Sequence, residues 1–249
     1  MKKNLKHIAF SVLLIGSLSS SVAAQESRLT WDFPVRPGTE EWKKLRNFEE
    51  RVRVSQIPEE ILHSLSTEEL LELCLRYPFL INIFAFNNLN HGLDRLFIEF
   101  NGIRELFRRD DVATHLIQRY TQRIQSLSSL NDEGKTGLEK GSLIISTSIL
   151  GVLLSRIEKQ NREAGIDVYR EILRSLVAGY EEILKHANYF QGLGFRTNLF
   201  SRAHVIVRMD SSFTEQLSQG RGRSVLFSGT VGDEETINLI NERSLQLIR

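Results

Sequence analysis

The densest hydrogen-bonding chemistry in the chain sits in six consecutive residues, Asn87-Asn88-Leu89-Asn90-His91-Gly92. Amide side chains donate and accept together, as recognition of a sugar or a peptide backbone requires. Phe84 and Phe86 stand beside them for stacking. The same residue types also cap helices and turn a backbone between them. Asn87, Asn88, Asn90 and His91 are therefore the first candidates for a ligand site. Trp31 and Phe33 are the second, because large aromatics are favoured interface anchors. In an extended segment they equally pack on the protein's own body.

Catalytic patterns fail one by one. Glu133-Gly134-Lys135-Thr136 looks like the end of a phosphate-binding loop, but position 129 is Ser129 where that loop needs glycine, and the preceding residues scan as helix. Read as a calcium hand, the same loop puts Lys140 where a bidentate glutamate should close the site. His63, His91, His115, His186 and His204 lie far apart, without metal-ligand spacing. Cys74 lies within Leu70-Leu71-Glu72-Leu73-Cys74-Leu75, an apolar helix in which a buried thiol is inert. Glu59/Glu60, Glu68/Glu69 and Glu181/Glu182 are sequence neighbours that splay apart on a helix, and most fit the positive end of a helix dipole. Arg104, Arg108, Arg109, Arg119 and Arg123 form a basic stripe with Glu99, Glu105, Asp110 and Asp111 close by to neutralise it. No metal and no cofactor is expected.

The elements that must position these residues are helical. Gln25 to Gly38 holds Trp31, Phe33, Pro34 and Pro37, too proline-interrupted for a helix, and reads as an extended strap. Thr39 caps a first helix with Trp42, Leu45, Phe48 and Val52 on one face. Pro58 suits the first turn of a short helix to Leu65, and Ser66 with Glu69 forms a capping box for the next. Phe79 to Phe86 is apolar enough to be fully buried. Asn101-Gly102 marks a break, and Asp110 or Asp111 caps a helix with Val112, Leu116, Tyr120, Ile124 and Leu127 on one face.

After a loop over 131–137, Leu143 to Leu154 is apolar nearly all round. Its uncharged run, 141–155, is shorter than the roughly 20 residues of a spanning helix, so a central core helix is expected and no transmembrane segment in the mature chain. Ile166 to Ala187 is the cleanest amphipathic stretch, and Thr197 to Met209 scans as helix. Val205-Ile206-Val207 and Ser224 to Phe227 keep a strand alternative open. Asp233 caps a last helix. The pattern predicts an all-α fold of roughly nine helices, a bundle or an irregular solenoid, with 39–249 as one domain and a possible subregion break near 131–137.

The N-terminus carries an address. Lys2, Lys3 and Lys6 precede the apolar run Ile8 to Leu18, and Val22-Ala23-Ala24 supplies small residues for a signal peptidase. That layout predicts a signal peptide over 1–24, cleavage after Ala24, and a periplasmic or secreted product. Losing the leader removes three lysines from 32 basic against 31 acidic residues, leaving a formal net charge of −2. Near-neutrality argues against nucleic acid, whose binding is driven by neutralising phosphates. The single Cys74 excludes an intramolecular disulfide, so stability must come from packing.

Trp31-Asp32-Phe33-Pro34, Pro37-Gly38-Thr39-Glu40-Glu41-Trp42, Ile57-Pro58-Glu59-Glu60-Ile61-Leu62, Ser66-Thr67-Glu68-Glu69-Leu70, Phe100 to Leu106 and Leu226-Phe227-Ser228-Gly229 together resemble a group of exported helical proteins of gut-type Bacteroidetes. The resemblance spans most of the mature chain and implies export and one integrated architecture. It carries no activity and no catalytic residue. The expectation is an exported, non-enzymatic helical protein that binds a protein, peptide or glycan partner. The alternative is an exported hydrolase of cell-wall or dietary polymer, its site assembled from distant positions.

Overall fold

The computed structural model describes residues 31–158, 165–190, 192–219, 222–231 and 233–249. The expected signal peptide, 1–24, and the first part of the expected strap, 25–30, lie outside the described residues. From Trp31 to Thr39 the chain is irregular, as its prolines require. Phe33 is only 1% exposed and packs tilted against the stacked pair Tyr77 and Phe100, with ring centroids 6.2 Å from each. Trp31 packs edge-on against it at 5.1 Å.

Short helices follow: α1 (Glu40–Lys44), α2 (Phe48–Val54), α3 (Glu59–Ser64) and α4 (Thr67–Leu75). Thr39 accepts from the Trp42 amide, and Ser66 and Glu69 exchange both bonds of a capping box, as their spacing predicts. The first expected helix is in fact two, because Asn47 accepts from the Glu50 amide and starts α2 afresh. A 3-10 segment, Leu80–Ala85, leads into α5 (Leu89–Glu99) and α6 (Asn101–Leu106). It is not fully buried: Leu80 and Ile83 face the core while Ile81 and Phe86 face solvent, because a segment one turn thick has only one side to bury.

The centre is built from α7 (Val112–Ser126), α8 (Gly137–Leu154), α9 (Ile166–Lys185) and α11 (Leu193–Met209), with α10 (Ala187–Phe190) between the last two. Helix α7 packs on α8 and α9; α11 packs on α8, α9, α13 (Val225–Ser228) and α14 (Glu234–Leu247). Helix α12 (Phe213–Gln219) bridges to a 3-10 turn, Gly222–Ser224. Elements distant in sequence meet, as α5 meets α13, so this is a helical bundle and not a solenoid, whose repeats touch only their neighbours. It contains more helices than nine: the expected first helix is two, and α10, α12 and α13 are too short to show a clear periodic face.

No strand occurs among the described residues. Val205-Ile206-Val207 lies inside α11, surrounded by four helices, where packing overrides β-branched preference. Ser224 closes the 3-10 turn and Val225–Ser228 forms α13. One hydrophobic cluster runs from Phe33 to Ile240; a satellite of Leu127, Leu130, Leu143, Ile183 and Phe190 lies near the 131–137 loop. Helix α8 is apolar enough over 18 residues to cross a membrane by composition, but from Thr147 onward it is buried on every side within the bundle.

Candidate functional site

Helix α8 starts at a second capping box, in which the Thr136 hydroxyl accepts from the Glu139 amide and Glu139 reaches back to the Thr136 amide at 2.8 Å. Before it, the Asp132 carboxylate accepts from the Gly134 amide at 2.9 Å and tightens the loop. The Glu-Gly-Lys-Thr stretch is thus a helix start, and Thr-x-x-Glu was its legible signal.

One face of the first three turns of α8 is left open and forms a wall of a groove of about 380 Å³, while Leu143 packs into the satellite cluster. Gly137, Gly141, Ser142, Ile145 and Ile149 share this face. The opposite wall is Leu75, Tyr77, Pro78, Leu80 and Ile81, from the end of α4 into the 3-10 segment. A methyl placed on Gly137 or Gly141 would meet nothing within 4 Å, so the floor is open. Leu138 is 84% exposed on one lip and Ile81 49% on the other.

The second wall is fixed from behind. The Tyr77 ring stacks on Phe100 at 3.9 Å, and Pro78 ends the helical run. Gly92 of α5 lies so close that a Cβ would come within 2.3 Å of the Ile83 carbonyl oxygen, an approach only glycine permits. Tyr77 is the one ionisable residue in the lining; burial first, and the Glu99 charge second, raise its phenol so that it stays neutral. The Ser146 hydroxyl donates to the Leu143 carbonyl of its own helix at 3.1 Å. The groove therefore presents apolar and neutral surface and no charge.

The residues singled out by chemistry sit elsewhere. Asn88 caps α5 by accepting from the Asn90 amide at 2.9 Å, and Asn90 donates to the Leu226 carbonyl at 2.8 Å. Both amides are spent on the fold. Asn87 and His91 are exposed at the far end of the 3-10 segment from the groove. Phe33 is buried and cannot reach a partner; Trp31, half-buried, leans on it. The strap aromatics hold the N-terminal helices together.

Cys74 is buried, and burial raises its thiol well above the ordinary range. Glu105 pairs with Arg108 and Arg109, and Arg119 with Glu72, so that part of the basic stripe is neutralised. Asp111 stands at the start of α7 without capping it; its carboxylate takes the Thr67 hydroxyl at 2.7 Å. Among the described residues no three His, Cys, Asp or Glu side chains gather as a metal ion would need. A second cleft of about 350 Å³ between α2 and α5 is lined by Glu49, Arg53, Arg95 and Glu99, with balanced charge.

No family model, no curated protein and no solved structure matches the chain.

Proposed function

We propose that this is an exported protein that binds, without chemistry of its own, an apolar stretch of a partner protein or peptide in the groove between α8 and Leu75–Ile81. One observation carries the reading: an open, uncharged groove of about 380 Å³ whose lips are the exposed side chains Leu138 and Ile81. Pockets of this size with apolar linings are the usual form of ligand sites. A glycan would find few hydrogen-bonding partners there, so the peptide reading is favoured over the sugar. Export rests on the Lys-rich, apolar and small-residue layout of 1–24, and the likeness to exported Bacteroidetes proteins belongs to the same proposal.

Fluorescence anisotropy with labelled apolar peptides, on the mature chain and on Gly141→Leu, tests the groove. The leucine fills open space and is expected to weaken binding about tenfold or more, the effect of roughly 1.4 kcal/mol. Asn87→Ala should leave affinity unchanged. Equal affinity in Gly141→Leu removes the groove from the function. Turnover of peptidoglycan, glycans or peptides by the same material would replace binding with hydrolysis. N-terminal sequencing of exported protein should begin at Gln25, and a retained Met1 would overturn the cleavage.

A further inference from the structure

The last helix is attached in an unusual way. Of the apolar side chains on α14, Ile240 alone is fully buried, together with the polar Thr236 and Ser244, while Ile237, Leu239 and Leu247 are only half-buried against the core. Helix α11 by contrast buries Leu199, Phe200, Ala203, Val205 and Ile206. At the centre of the α11–α14 contact stands Arg202, 1% exposed. Its Nε and Nη2 donate to Ser244 Oγ at 3.1 and 2.9 Å, and Nη2 also reaches Asn241 Oδ1 at 2.8 Å and the Ile240 carbonyl at 3.2 Å. Every one of these acceptors belongs to α14.

What Arg202 lacks matters as much. Nη1 has no partner. The Tyr180 ring lies under the guanidinium at 4.9 Å. Burial lowers its pKa to about 10, and the groups that favour its charge are the Tyr180 and Tyr120 phenols, with no carboxylate among the described residues. A buried cation held by neutral dipoles recovers little of its desolvation cost, and an apolar residue of similar volume is often as good or better. The remaining ties are nearer the surface: Arg170 donates to the Leu247 carbonyl at 3.2 Å, Arg174 to the Ile248 carbonyl at 2.9 Å, and Arg243 pairs with Asp210. The Arg174 bond is exposed and the other two are half-buried, and bonds within reach of water exchange with it at small net cost.

We propose that α14 is a latch that opens from α9 and α11 as one unit while the rest of the bundle stays folded. Opening exposes one fully buried apolar side chain and the half-buried Ile237, Leu239 and Leu247, hydrates Arg202, and replaces each lost acceptor with water. It uncovers a face carrying Arg202 and Tyr180. Sub-global opening of this kind is carried by elements with few buried apolar contacts.

Native-state hydrogen exchange on the mature chain, read by mass spectrometry, tests the latch. Amides from Asn238 to Leu247 should share one rate, about a hundredfold or more faster than amides of α8 and α11. In Arg202→Met, whose side chain fills the same space without charge, the α14 rate should slow about tenfold with the α8 rate unchanged. A rate for α14 equal to that of α11 overturns the latch. So does a rate that falls smoothly inward from Leu247, which is end fraying, or faster α14 exchange in Arg202→Met. If that variant does not fold, the comparison of helices in the unaltered protein decides alone.

Discussion

The Asn101 amide N–H donates to Gln56 Oε1 at 3.0 Å, joining the end of α2 to the start of α6 across 45 positions. Asn101 in turn brackets Ile57, accepting from its N–H at 3.1 Å and donating to its carbonyl at 2.7 Å. Gln56 Nε2 completes the set by donating to the Glu99 carbonyl at 2.9 Å. Two side-chain amides thus do between helices what a sheet ladder does between strands. Asn101→Ala strands both Ile57 backbone groups and should cost about 2–4 kcal/mol, read as a lower urea midpoint at constant slope. A midpoint unchanged within error would show that water replaces the bracket.

Phe33 makes the irregular strap part of the core. Phe33→Ala should destabilise by about 3–5 kcal/mol, because the space it fills beside Tyr77 and Phe100 is braced by their stack and cannot collapse. Trp31→Ala, at a half-buried ring, should cost distinctly less. Thermal unfolding of both variants checks the order; a larger loss at Trp31 would reverse the assignment of anchor and neighbour.

Two glycines on helices should respond with opposite signs. A Cβ on Gly179 would sit 2.1 Å from the Tyr120 hydroxyl, so Gly179→Ala should cost about 1–3 kcal/mol through overpacking, with part recovered in the double variant with Tyr120→Phe. Gly141 is open, and Gly141→Ala should stabilise by about 0.5–1 kcal/mol through helix propensity alone. Chemical denaturation measures both; stabilisation by Gly179→Ala would mean that Tyr120 moves freely.

His204 predicts the acid limb of stability. Burial holds its pKa down at about 4 against 6.5, opposed by the bond between Nε2 and the Leu226 carbonyl at 2.9 Å and aided by the Arg208 and Arg156 charges. An unfolded histidine gains its proton near 6.5 and the folded one only near 4. Its contribution is therefore complete above about pH 6.5 and drains away as pH falls toward 4, at up to about 1.4 kcal/mol per pH unit. The cap carboxylates Glu69 and Glu139, lowered by their bonds to Ser66 and Thr136, surrender their share only below the unfolded value of 4.5. Urea midpoints from pH 7 to 4.5 should fall in the native protein and stay flat in His204→Gln. A slope that persists in the variant assigns it to another group.

Much of the framework was legible because it is local. Thr39, Ser66 with Glu69, and Asp233 cap their helices as spacing alone implies, and the break expected at Asn101-Gly102 falls one residue earlier, at Phe100, with Asn101 opening α6. A cap is a bond between residues three apart, so three residues suffice to predict it. The Thr136–Glu139 box is equally local, a Thr-x-x-Glu spacing that starts α8. The same locality made Asn88 and Asn90 look like a binding surface, since a sequence shows that an amide can bond but not to what.

The sequence by itself determined the helical class, most of the longer helices, the apolar character of α8 and several of the residues spent on caps, all properties fixed within a turn or two of chain. Tertiary structure alone decided that Phe33 is core and Asn90 is a tie to Leu226. It alone placed the open face of α8 against Leu75–Ile81, across some sixty positions of chain, and Arg202 beneath α14 with no carboxylate partner among the described residues. Grooves and buried charges are made by the meeting of surfaces, and which surfaces meet is set by how the whole core packs, not by any residue's neighbours in the chain.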